Sequence, residues 1–212
     1  MTTEGDTRSG DQLRERRRER NAREIQQAAM SLFADRGYAA VTVEDIAREA
    51  GISERTFFRY FASKDHVLVA EAGRRIDVIR QSLVQQDDTL DAWEALRNAV
   101  LDQSASEDRV GRKGAIWAHL TSEAPALLAK MIMHGALEET HQIEVELARR
   151  LGVPATDALP DLMMRVTLAA MQSAYLRWLE RVGDDALVDL TARALDIVGA
   201  GLAQATPTLR AR

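Results

Sequence analysis

Apolar residues recur along this chain at helical spacing almost everywhere, while no stretch alternates apolar and polar residues at period two for more than a few positions. An all-α protein is therefore predicted. Ile25, Ala29, Leu32 and Phe33 share one face of a first helix that should start near Arg20 and stop at Gly37, a residue able to take the left-handed conformation. Val43, Ile46, Ala47 and Ala50 form an i, i+3, i+4, i+7 stripe behind Thr42. Asp45 is placed to close a short capping box with Thr42, and Gly51 ends this second helix after barely two turns. Ser53 caps the amides of a third short helix, with Ile52, Phe57 and Phe61 pointing back into a core. Ser63 then opens a longer helix through about Gln86, carrying Val67, Leu68, Ala72, Ile76, Ile79 and Leu83 inward. Further helices are predicted near 89–104, 108–121, 125–151, 159–182 and 185–204, with breaks at Asp87-Asp88, Ser122 to Pro125, Gly152 to Pro160 and Gly183-Asp184.

With 212 residues, 46% hydrophobic and 29% charged, the chain can bury a real core. It holds no apolar run of the roughly 18–20 residues that a membrane-spanning helix requires, so no membrane partner is expected. The first ten residues lack the apolar segment of a secretory signal, and a cytoplasmic location is expected. The absence of cysteine removes disulfides, thiolate nucleophiles and cysteine-based metal sites.

The net charge of −5 argues at first against a nucleic-acid partner. It is unevenly distributed, however. Residues 1–66 hold twelve basic and twelve acidic residues, so the excess of acid belongs to the remainder. Within the first part, Arg8, Arg14, Arg16, Arg17, Arg18, Arg20 and Arg23 face only Asp11, Glu15 and Glu19. Residues 1–18 are expected to form a flexible, arginine-rich arm. Such an arm can lie in a minor groove or track phosphates, and it can equally be a solvated tail.

Two short helices separated by a tight turn at Gly51-Ile52 make a helix-turn-helix, whose second helix enters the major groove while the first crosses the backbone. The small Ala47 faces the turn, Gly51 lets the chain reverse, and Ile46, Ile52, Phe57 and Phe61 pack the unit. Ser53, Glu54, Arg55, Thr56, Arg59 and Tyr60 are left facing outward. The pattern T-x-x-D-I-A-x-x-A-G-I-S at 42–53, followed by T-F-F-R-Y-F at 56–61 and S-K-D at 63–65, resembles the TetR family of transcriptional regulators over about residues 19–79.

That resemblance implies an N-terminal three-helix DNA-binding head (19–79, motif 42–61) and a helical ligand-binding and dimerisation core (80–212). It also implies base contacts from the third helix and phosphate contacts from Lys64 and Thr42. Phe58 stands where the family usually carries a tyrosine that reaches a phosphate, which leaves packing, for instance against a thymine methyl. Arg55 replaces a residue that is often glycine; it can read a guanine, or bind Glu54 or a phosphate and specify nothing.

In the remainder, Trp93, Trp117, Met131, His134, Met163, Met171, Tyr175 and Trp178 are the candidate walls of a pocket for a small hydrophobic effector, although such residues also make ordinary core. Ala169, Ala170, Ser173, Ala174, Gly199, Ala200, Gly201 and Ala203 would let the last two helices approach closely, and the resemblance implies a homodimer interface there. His134 and His141 are seven residues apart, about 10.5 Å along a helix, with no acid at chelating spacing. Neither a metal, a cofactor nor a catalytic group is expected.

The expected function is that of a ligand-released repressor acting as a homodimer on a palindromic double-stranded DNA operator. The alternative is an all-helical small-molecule-binding protein or enzyme whose helix-turn-helix head makes protein contacts.

Overall fold

The computed structural model describes residues 4–110, 137–180 and 185–210, and among these residues it is helical without strands. The chain divides into two units between Leu68 and Val69. In the first lie α1 (Glu4–Arg36), α2 (Val43–Glu49) and α3 (Glu54–Tyr60). The cut falls inside α4 (Lys64–Gln85), and the second unit adds α5 (Ala92–Val110), α6 (Leu137–Leu151), α7 (Ala158–Glu180) and α8 (Leu187–Arg210).

The first unit follows its local signals. Ile25, Ala29, Leu32 and Phe33 of α1 are buried, and α1 ends where Gly37 adopts φ +78° and returns its amide to the Phe33 carbonyl at 3.0 Å. The Thr42 hydroxyl accepts the Asp45 amide while Asp45 reaches back to the Thr42 amide, so the capping box is closed in both directions. Gly51 turns the chain at φ +65°, and the Ile52 amide then reaches the Ala47 carbonyl at 2.9 Å. Ser53 caps α3 through the Thr56 amide. One expectation is corrected: α1 is already running at Glu4, not at Arg20. Glu19–Arg23 and Arg20–Glu24 lie at i, i+4, and from residue 11 to residue 36 there is neither glycine nor proline to stop the helix.

In the second unit the core is built from Ile76, Ile79 and Leu83 of α4, Leu96 and Val100 of α5, Ile143 and Leu147 of α6, Met163, Met164 and Met171 of α7, and Leu195 of α8. Three expectations change here. Ala72 is only half-buried, because Glu71 and Arg75 occupy the inward stripe of α4 beside it. α5 runs on to Val110, and α8 continues through Pro207 to Arg210, although a proline there loses its amide donor and its ring crowds the carbonyl four residues earlier. The expected helix at 108–121 and the start of the next fall largely outside the described residues.

Two long-range clamps replace local signals. The Asp108 carboxylate of α5 accepts the Leu187 and Val188 amides at 2.9 and 3.0 Å, satisfying the orphan donors at the start of α8. Arg150 of α6, with a side chain 2% exposed, donates to the Leu83, Gln86 and Asp87 carbonyls where α4 ends.

A third contact gives a direct test of packing. A Cβ on Gly199 of α8 would sit 2.2 Å from Nε1 of Trp93 on α5. Gly199→Ala should therefore lower stability by about 1–3 kcal/mol through overpacking, although alanine favours a helix by ~1 kcal/mol. Thermal denaturation would check this, and adding Trp93→Leu should recover most of the loss. A stabilised Gly199→Ala protein would mean that the indole does not pack there.

Candidate nucleic-acid interface and helical core

The local chain geometry of α3 sorts its side chains cleanly. Phe57 is fully buried, with Phe58 and Phe61 around its ring at 5.6 and 5.8 Å between centroids. Glu54, Arg55, Phe58 and Arg59 are exposed together, spaced i, i+1, i+4, i+5, so they form one outward face on a helix held at its start by Ser53. Phe58 is 54% exposed, a large apolar ring with no core to fill. The Arg55 guanidinium has no partner among the described residues, so the pairing with Glu54 does not form. Thr56 is half-buried against Ser53, their hydroxyl oxygens 3.0 Å apart.

Tyr60 closes the helix at the junction with α1. Its hydroxyl oxygen accepts the Asn21 amide at 3.0 Å, and the Arg59 guanidinium carbon lies 5.2 Å from its ring centroid. The Asn21 hydrogen bond holds this phenol below its ordinary pKa against a smaller opposing effect of burial, with Arg59 and Arg18 acting in the same direction as Asn21.

Thr42 and Lys64 are more occupied than the motif suggests. The Thr42 hydroxyl donates its single hydrogen to Asp45 Oδ2 at 2.8 Å, so with the capping box closed it offers a phosphate no side-chain donor. The same hydrogen bond, followed by that from the Thr42 amide, holds the Asp45 carboxyl below its usual range. Lys64 Nζ donates to the Tyr38 and Val41 carbonyls at 2.8 and 2.9 Å and lies 4.3 Å from the Tyr38 ring centroid. The Tyr38 hydroxyl donates in turn to Asp65, and burial, followed by this carboxylate, pushes its pKa upward. Lys64 thus ties the start of α4 to the 38–41 turn and keeps a single N–H for another acceptor.

The described candidate pocket residues divide between two hydrophobic clusters. Met163 and Met171 are buried in the main cluster of the second unit, with Trp93 packed against it. Tyr175 belongs to a separate cluster with Leu187 and Leu190, and Trp178 stands edge-on to it at 6.3 Å. Trp117, Met131 and His134 lie outside the described residues. His141 is exposed and faces Glu144 at 3.6 Å, and no group of three potential metal ligands occurs among the described residues.

A buried polar cluster in this unit carries little signal in the sequence. Arg75 of α4 pairs with Glu107 of α5 and donates to the Tyr175 hydroxyl of α7 at 3.2 Å, while Gln103 donates to Glu107 at 2.7 Å. Burial pushes the Tyr175 pKa up. The available signal was Glu71 and Arg75 at i, i+4 on the stripe that also carries Leu68 and Ile79.

Residues 25–70 match the model of bacterial regulatory proteins of the tetR family, and residues 90–203 match the MftR C-terminal domain. A protein named mycofactocin biosynthesis transcriptional regulator MftR, from Mycobacterium tuberculosis, is 33% identical over 188 residues, covering 88% of this chain and 93% of that protein. The transcriptional regulator TcmR of Streptomyces glaucescens is 29% identical over 190 residues, covering 84% and 82%. Among solved structures, the repressor FadR of Thermus thermophilus in complex with lauroyl-CoA superposes with a TM-score of 0.56 at 24% identity, over 83% of this chain and 92% of that one. This last likeness speaks to the fold. No described helix is long and apolar enough to cross a membrane.

Proposed function

Because this chain belongs to the tetR family of bacterial regulatory proteins, and is a DNA-binding transcriptional regulator and not an enzyme, we propose that it works as a homodimeric repressor released by an apolar, acyl-type effector. The observation that carries the DNA reading is the capped α3 with Glu54, Arg55, Phe58 and Arg59 on one open face. Each protomer would set α3 in one major groove of a palindromic operator. Arg55, in the first turn and without a competing partner, reads a guanine. Phe58 packs on a thymine methyl, and Ser53, Thr56, Arg59 and Tyr60 supply flanking contacts. Lys64 contributes its one remaining N–H to a phosphate, and Thr42 serves chiefly as a cap.

Dimerisation is supported by the outer faces of α7 and α8. Leu162, Ala169, Ser173, Ala200 and Gly201 are exposed there, and Ile197 is 76% exposed. Effector binding is supported by the methionines and aromatic residues of the second unit and by the lauroyl-CoA complex of the FadR neighbour. An effector acts only through different affinity for the operator-competent and incompetent states, typically ~1–3 kcal/mol.

The test uses DNA from upstream of the protein's own gene and a scrambled duplex. Arg55→Ala should lose ~1–3 kcal/mol on the operator and little on the scrambled duplex. Lys64→Ala should weaken both and lower the magnitude of the salt slope by about one. It should also lower the melting temperature, because two carbonyls lose their donor. Lauroyl-CoA should raise the melting temperature and weaken operator binding together. Equal losses for Arg55→Ala on both duplexes would make Arg55 a phosphate contact. Stabilisation by lauroyl-CoA without loss of DNA affinity would mean that its binding is not coupled to the operator.

A further inference from the structure

We propose that the N-terminal extension of α1 is a DNA-backbone clamp, in which Arg14 and Arg18 hold phosphates beside the groove that α3 occupies. This rests on the operator-binding reading above. Among the described side chains of α1 the buried ones begin at Ile25, yet the helix starts at Glu4, and the sequence from 4 to 24, with Leu13 and Ala22 as its only apolar residues besides glycine, offers no apolar stripe to hold it against the protein. A helix that is polar all round needs another partner.

The register identifies which side that partner meets. Ile25 and Ala29 mark the inward stripe, and stepping back by three or four residues from Ile25 leads to Asn21, then Arg18, then Arg14. Arg14 lies about 16 Å from Ile25 along the axis. Asn21 shows where this stripe points, since its amide donates to the Tyr60 hydroxyl at the end of α3. With the Tyr60 oxygen occupied as an acceptor, its hydrogen remains to donate, and Arg59 lies over the same ring. Arg18, Arg59 and the Tyr60 hydroxyl therefore converge on one edge of α3, a set of donors that suits a phosphate.

Glu19 pairs with Arg23 and Glu24 with Arg20, so these acids are engaged away from the stripe. Arg14 and Arg18 are exposed. The net acidity of the chain resides elsewhere, and this ridge offers the concentrated positive charge that a phosphate backbone attracts.

The test compares two double variants of the full chain in salt titrations on operator and scrambled duplexes. Arg14→Ala with Arg18→Ala should lower the magnitude of the log–log salt slope by about two, equally on both duplexes, with circular dichroism and melting temperature unchanged. Arg16→Ala with Arg23→Ala, on the opposite side of α1, should leave the slope as in the wild type. Arg14→Lys with Arg18→Lys should restore most of it. An equal drop for both alanine pairs would replace the clamp by general electrostatics. No change in slope for either, with wild-type binding intact, would overturn the clamp alone, as would an altered oligomeric state without a change in slope. A wild type that binds no upstream DNA would overturn the operator reading and the clamp with it.

Discussion

Arg150→Met should lower the unfolding free energy by on the order of 3 kcal/mol, although the substitution keeps an apolar stem of similar length. Breaking one side of a buried, hydrogen-bonded charge pair typically has an effect of this size, because the groups left behind are desolvated without a partner. Arg150 Nη2 serves the Leu83 and Gln86 carbonyls at 3.2 and 3.0 Å, Nη1 serves Asp87 at 3.0 Å, and Nε meets Glu146 at 2.9 Å. The last carbonyls of α4 would lose their donors at once. Denaturant titration would measure the loss, and Arg150→Lys should recover only part of it, since an ammonium cannot span the same fork of acceptors.

The pH dependence supplies a second readout. The Arg149 hydrogen bond above all, opposed by burial and aided by Arg150, holds the Glu146 carboxyl below its usual range. The stabilisation this gives is present above the unfolded carboxylate pKa and fades as pH falls through the lower, folded one. The acid limb should therefore be shallower in Arg150→Met. A loss below about 1 kcal/mol would mean that water replaces the guanidinium at the end of α4.

Gly201→Glu should leave the protomer folded and abolish the proposed dimer. An added Cβ at Gly201 meets nothing within 4 Å, so the single chain accommodates the side chain in open space. At a helix–helix interface the same carboxylate would be buried without a partner, a cost on the order of 3 kcal/mol or more, equivalent to a hundredfold or greater weakening of association. Sedimentation across the micromolar range would show wild-type dimer and variant monomer. Operator affinity should fall in step, because each protomer would then hold a single half-site. A wild type that remains monomeric at micromolar concentration would end the dimer proposal.

Gly199 and Gly201 sharpen that test. They stand two residues apart in α8 and so face widely different directions. Gly199 is occupied by Trp93 of its own chain, whereas Gly201 is open. Substitutions at the first should damage folding, and those at the second association.

The same pair of glycines marks how far the sequence could be read. Both belong to one short run of small residues, and the run by itself does not tell the glycine that receives an indole from the one left bare. In the head, by contrast, the determinants act over a few residues: the Thr42-Asp45 box, the Ser53 cap, Gly37 and Gly51 at positive φ, and the spacing of Ile46, Ala47, Phe57 and Phe61. Their outcome follows from backbone sterics and neighbouring hydrogen bonds, and the sequence alone determined it, as it did the family. The start of α1 escaped because polar residues without an apolar face carry no periodic signal, although their helix propensity is high.

What the tertiary structure alone decided lies at long separation. Arg75 reaches Glu107 and Tyr175, Asp108 caps α8 in place of a residue of its own, Arg150 closes the end of α4, and Lys64 holds the 38–41 turn. A charged or polar side chain is assigned to solvent by default in a sequence, because burying it is costly unless a partner is present. Whether that partner is present depends on which helices meet and at what register, and packing of the whole chain sets both.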